Sequence, residues 1–275
     1  FVFMQPGAHS IAHALEARKS WSAAQRALPV VATDLRNFHE AEFALAHQVH
    51  CVCGPVLGQL ESNAGDEIQA LPPAAKRLSG IIALLVADAD TGKVVDRIKG
   101  DVGLSLRVLQ RANAAVYARS QNSTSVEEAI AVLGRKELHR WMSVFLLQYA
   151  QSSQVQSALH VLTLWRSRHL ELLAAARSEP HPEALFMLGL ASMLVLLLKT
   201  NAQEVCDMLS LGACARQALL DADGPYAPYL ELVQRHETDT LDEAPALLTL
   251  FGGLSHVKAL SGQAWTWAEA NHRDA

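Results

Sequence analysis

Residues 184–198, ALFMLGLASMLVLLL, carry no charge and almost no polarity. No other part of the chain constrains the fold as tightly. A bilayer crossing needs roughly 20 apolar residues, and this run stops short, closed by Lys199, Thr200 and Asn201. A helix that is apolar all round must be enclosed by protein, so the run predicts the central helix of a bundle that covers it on every side. The chain has 275 residues, 50% of them hydrophobic and 19% charged, which is enough material for that cover. At the start, FVFMQPG lacks a basic leader, and Gln5, Pro6 and Gly7 interrupt any apolar run, so no secretory signal is expected. The first residue is Phe, as in a piece of a longer protein.

Two regions differ in pattern. Over 1–60, strand-like runs (FVFM at 1–4, LPVVAT at 28–33, CVCG at 51–54) alternate with helical stretches at 10–27 and 37–48. Alternation of this kind implies βαβ crossovers and a small parallel sheet. Such a thin unit needs cover on both faces, so it should lean on the rest of the chain. Turn signals in ESNAGDEIQALPP (61–73) place a boundary near residue 62, giving units 1–62 and 63–275.

Beyond Pro73 the pattern is helical. Asp101 is expected to cap a helix whose inward stripe is Val102, Leu106, Leu109 and Val116, with Arg107 and Arg111 on another face. Ser125 and Glu128 form a capping box, and Val126, Ile130 and Leu133 then face inward. Gly134 is placed to close that helix in a left-handed conformation. Leu138, Trp141, Phe145 and Tyr149 make the next stripe. Longer helices are expected at 155–177 and 183–198, and shorter ones near 202–209, 213–221, 225–237, 243–251 and 255–270.

A net charge of −5 and a pI near 6.2 argue against bulk binding to nucleic acid or anionic lipid. The charge is uneven. Residues 93–140 hold nine basic and five acidic side chains, and residues 221–243 hold seven acidic and one basic. The basic stretch 101–141 has the outline of a helix-turn-helix, which keeps a DNA-binding regulator as an alternative. Its second helix, however, opens on Val126, Glu127 and Glu128, whose carboxylates would repel phosphate. Four cysteines (51, 53, 206 and 214) make no disulfide framework in a chain of this length, so reduced thiols in a cytoplasm are expected. HQVHCVC (47–53) and the His9/His13 pair lack familiar metal-ligand spacing. Asn113, on the apolar stripe, is expected to satisfy a neighbouring loop backbone.

The stretch 81–147 resembles the first half of an HDOD domain. The likeness rests on the helix start at Asp101, Leu104 and Ser105, on the run Arg111–Ala112–Asn113–Ala114, on Ser125–Val126–Glu127 followed by Ala129–Ile130, and on Leu133–Gly134. It continues more loosely through Trp165, Gly189–Leu190 and Trp267–Ala268, and is similar to the YuxH-type proteins, in which an HDOD domain follows an EAL domain. The resemblance implies a mainly α fold, a multi-helical relative of the HD metal-dependent phosphohydrolases, preceded by a small α/β (βαβαβ) remnant of an EAL-like barrel. In HD enzymes the helix matching 185–198 carries adjacent His and Asp ligands after a Gly-Leu step. Here Gly189–Leu190 leads to Ala191, Ser192 and Met193, and neither Ser nor Met suits a hard divalent cation. Ser192 is expected to bond the carbonyl four residues back. His169, Ser192 and Met193 mark the place of a vestigial pocket.

The first 60 residues are similar to the end of an EAL domain, the cyclic-diguanylate phosphodiesterase barrel. On that alignment Arg36 falls on a glutamate, Cys53 on a glutamine, and Gln5 on an acidic ligand. The resemblance therefore implies a non-catalytic bacterial signalling module with no cofactor. It would act through signalling proteins or a small ligand, in the neighbourhood of cyclic-diguanylate signalling, without a membrane or nucleic acid. A phosphohydrolase with unusual ligands is the enzymatic alternative.

Overall fold

The structure is a computed structural model that describes residues 2–4, 22, 28, 30–33, 35, 38–47, 49–52, 72–114, 123–149, 154–198 and 200–271. Three strands, β1 (Val2–Met4), β2 (Val30–Ala32) and β3 (Cys51–Val52), lie where the alternation puts them. They form one parallel sheet in the order β1-β2-β3, with Phe3 opposite Val31 and Val31 opposite Cys51. Helix α1 (Phe38–Ala46) joins β2 to β3 and packs on a helix of the bundle, α6 (Gln154–Ala176). Buried Val30, Ala32, Leu35, Ala41 and Ala44 thus belong to the same core as the bundle. The boundary near residue 62 falls outside the described residues.

The remainder is helical. A first group comprises α2 (Pro73–Val86), α3 (Thr91–Lys99), α4 (Val102–Ala114) and α5 (Val126–Phe145), followed by a short 3-10 turn at Leu146–Tyr149. The caps are local. Asp101 Oδ1 accepts from the Leu104 N–H at 3.0 Å, and Ser125 Oγ accepts from the Glu128 N–H at 3.2 Å. Glu128 reaches back to the Thr124 N–H at 2.8 Å, completing the box one residue early. Gly134 has φ 75° and ψ 159°, a conformation that costs a side chain dearly. It divides α5 into two segments, and the second buries Leu138, Trp141 and Phe145. Asn113 bonds both backbone groups of Ser123, at 3.2 Å and 2.7 Å, tying the end of α4 to the turn before α5.

The stripe expected on α4 is corrected. Val102 is 84% and Leu106 56% exposed, while Leu104, Val108 and Ala112 are buried; Val116 lies outside the described residues. The helix carries two competing apolar stripes, and its polar groups settle the choice. The Arg107 guanidinium lies 4.7 Å from the Phe145 ring centre, Arg111 pairs with Glu137 at 3.1 Å, and the Ser105 hydroxyl donates to Ile98 O at 2.9 Å. All three contacts require the face that includes Leu104 and Val108 to point inward.

Helix α7 (Pro182–Leu197) is the uncharged run, and twelve of its residues from Leu185 to Leu197 are buried. It forms a hairpin with α6. A Cβ on Gly189 would stand 2.6 Å from Ser167 Cα, so the two backbones approach as closely as only glycine permits. Around this pair pack α8 (Ala202–Met208), α9 (Ala213–Leu220), α10 (Ala227–Glu237) and, beyond α11 (Pro245–Leu250), which lies against α10, α12 (Leu254–Asn271), with α12 lying along α6. Among the described residues, no helix is long and apolar enough to cross a membrane.

Candidate functional site

Along α6 the buried positions Leu159, Thr163, Arg166, Leu170 and Leu173 follow a three-four spacing. Arg166 therefore sits on an apolar stripe and is fully buried. A buried guanidinium is tolerable only with a counter-charge and satisfied donors. Glu237, the last residue of α10, supplies the first: its carboxylate takes the Arg166 Nε donor at 2.7 Å and a second, Nη2 donor, with both side chains at most 4% exposed. Ser192 on α7 accepts from Arg166 Nη1 at 2.9 Å. Its own hydroxyl donates to Gly189 O at 2.8 Å, three residues back rather than the four expected. The one-residue shift leaves the Ser192 oxygen facing the guanidinium. Three helices are thus fastened at one point.

His169 and Met193 are both fully buried beside this network. The His169 ring packs edge-on to His236, with ring centres 5.5 Å apart, and lies 5.2 Å from the Trp165 ring. Neither nitrogen of His169 has a hydrogen-bond partner of good geometry. Burial, aided by the neighbouring His236, pushes its pKa down to about 3, with the Val257 backbone opposing. The imidazole is neutral. Burial, then Lys258, also lowers His236. A cleft of about 520 Å³ opens beside these rings, walled by Leu162, Trp165, His236, Glu237, Lys258 and Trp265, with Ser261 and Gly262 on α12. The Trp165 indole N–H donates to Ser261 O at 3.2 Å.

The other sequence candidates are scattered. Gln5, Arg36, Cys53, His9 and His13 lie outside the described residues. His47 Nδ1 lies 2.7 Å from Phe43 O, and His50 Nδ1 accepts from the Val30 N–H at 3.1 Å, so both imidazoles serve the local backbone. Cys206 is buried and Cys214 exposed, both as free thiols. Among the described residues no group of three or more His, Cys, Asp or Glu side chains could hold a metal ion. In the basic stretch, Lys99 meets Glu127 at 2.5 Å, Arg135 meets Asp88 at 3.1 Å, Lys136 meets Glu183 at 3.6 Å and Arg140 meets Glu171 at 2.9 Å. These pairs neutralise much of the positive charge that a phosphate backbone would use.

Sequence reasoning found Ser192 but missed Arg166, Glu237 and His236. The available signal was the arginine at a core position of an apolar stripe. Nothing local marks Glu237, which is 71 residues away.

The fold and this core define a mainly helical bundle with a guanidinium at its centre. Comparison of sequences gives the family: residues 71–209 match the HDOD domain, and the chain belongs to the HDOD family. It is 31% identical over 159 residues to the YuxH protein of Bacillus subtilis (strain 168), covering 56% of this chain and 38% of that protein. It is 27% identical over 151 residues to the cyclic di-GMP phosphodiesterase CdgJ of Vibrio cholerae serotype O1, covering 54% of this chain and 35% of that one. The chain thus spans well under half the length of these curated relatives. No solved structure matches it.

Proposed function

We propose that this chain is a non-catalytic signal-transduction module that works by binding signalling proteins or a small ligand in cyclic-diguanylate-linked regulation. The observation that carries the reading is the Arg166 guanidinium on Ser192 Oγ. A divalent ion bound at Ser192 would face a fixed positive charge whose carboxylate partner is already engaged. The HD-related centre is filled by a structural cation belonging to the protein. The family membership and a relative named as a cyclic di-GMP phosphodiesterase support the signalling context. The parallel sheet at the start supports descent of that segment from an EAL-like barrel, retained as a platform, with Gln5, Arg36 and Cys53 in place of its polar ligands. A cytoplasmic setting follows from the same reading.

The test is metal analysis and hydrolysis of cyclic diguanylate by the purified chain in Mn²⁺ or Mg²⁺, alongside a pull-down with the chain as bait. The expected result is no stoichiometric metal, no hydrolysis, and specific retention of signalling proteins or a nucleotide. Stoichiometric metal that is lost in His169→Ala, or turnover above the buffer rate, overturns the reading.

A further inference from the structure

A second cleft, of about 440 Å³, lies between the HDOD-matching segment and the residues that follow it, apart from the Arg166 centre. Its floor is apolar, formed by Phe186 and Met187 of α7, Leu209 and Leu211 after α8, and Ala215 of α9. Its other side is polar. His139 of α5 lines it, and His139 Nε2 is shielded from solvent without a hydrogen-bond partner. Lys136 stands at the rim, 93% exposed along its side chain.

The charged groups in the wall are paired within the protein, and the pair of Lys136 with Glu183 is the solvent-exposed one that an incoming acid group can replace. Glu137 is taken by Arg111 at 3.1 Å, and Arg140 is held by Glu171 and stacked over Phe186 at 3.8 Å. Glu183 lies 3.6 Å from both Lys136 and His181. Gly212, also in the wall, begins α9 with no side chain to receive the helix's first N–H groups. The cleft therefore offers donors over an apolar floor, in the size range of small-molecule sites, about 300–1,000 Å³. A buried nitrogen without a partner is costly in an empty site and is satisfied by a ligand acceptor.

We propose that this cleft is a binding site for a small amphipathic anion, a carboxylate or sulfonate on an apolar body about the size of a fused two-ring system. The apolar body rests on Phe186, Met187 and Leu211, and the acid group meets His139 and Lys136. The inference rests on the reading of the chain as a binding module, and it gives that module a site and a ligand class.

The experiment titrates the whole chain with 8-anilinonaphthalene-1-sulfonate and follows its fluorescence, with decanoate as competitor. The expected result is saturable one-to-one binding displaced by decanoate. Ala184→Trp, which fills the cleft from its half-buried rim, should abolish binding. His139→Leu should weaken it at least fivefold. Both variants are checked for native circular dichroism, and if either misfolds the other decides. Absence of saturable binding, or binding that a folded variant leaves unchanged, overturns the proposal. Neither result bears on metal content or hydrolysis, which test the non-catalytic reading separately.

Discussion

Replacing Glu237 by Gln tests whether the Arg166 centre holds the bundle together. The substitution preserves shape and one acceptor but removes the charge that neutralises a guanidinium with no solvent exposure. Breaking a buried pair from one side costs about 3–5 kcal/mol, because the remaining charge keeps its desolvation penalty. For a chain of this size each kcal/mol lowers Tm by roughly 2–4 °C, so E237Q should melt about 6–20 °C lower. Removing both charges is a different matter. Arg166→Met with Glu237→Leu fills similar volume without burying an ion, and should return to within about 1 kcal/mol of the parent or exceed it. Urea titrations followed by circular dichroism, run on the parent, Arg166→Met, Glu237→Leu and the double variant, give the coupling energy directly. The reasoning is refuted if E237Q costs less than about 1 kcal/mol, or if the double variant equals the sum of the singles.

Other perturbations follow from the same contacts. Gly189→Ala sets a methyl 2.6 Å from Ser167 Cα, and the α6–α7 pair must separate; a loss of about 1–3 kcal/mol is expected in urea midpoints. Asn113→Ala removes both bonds to Ser123 and should cost about 1–3 kcal/mol, with faster hydrogen exchange in the turn before α5. The pKa of His169 is lowered from 6.5 to about 3, so the unfolded chain takes up its proton first as pH falls. Stability from this group is complete above pH 6.5 and is lost down to about pH 3. The drop is of order 5 kcal/mol over that window, and His169→Phe should flatten the slope of ΔG against pH there. Arg140→Lys forfeits the bidentate bond to Glu171 and the stacking on Phe186, and about 1–2 kcal/mol of stability should go with them.

Whatever depends on neighbours along the chain was written in the sequence. The caps at Asp101 and Ser125, the positive φ of Gly134, the bond from Asn113 to the next turn, the long helices near 155–177 and 183–198 and the three strands are of this kind. Each is decided by hydrogen bonds or periodicity reaching over a few residues, and a side chain's type and position suffice to specify it. The uncharged run likewise dictated a central helix, because no other soluble placement hides a surface that is apolar on every side.

Only the tertiary structure decided how those pieces face one another. Helix α4 had two usable apolar stripes, and its turn toward Leu104, Val108 and Ala112 came from partners on α5. Arg166 acquired its meaning from Glu237, at the far end of another helix, and Ser192 turned from a core filler into the acceptor for a buried cation. No local pattern encodes such a meeting. The free energy of a buried charge depends on which groups the packed helices bring within hydrogen-bonding distance, and that set exists only once the chain has folded.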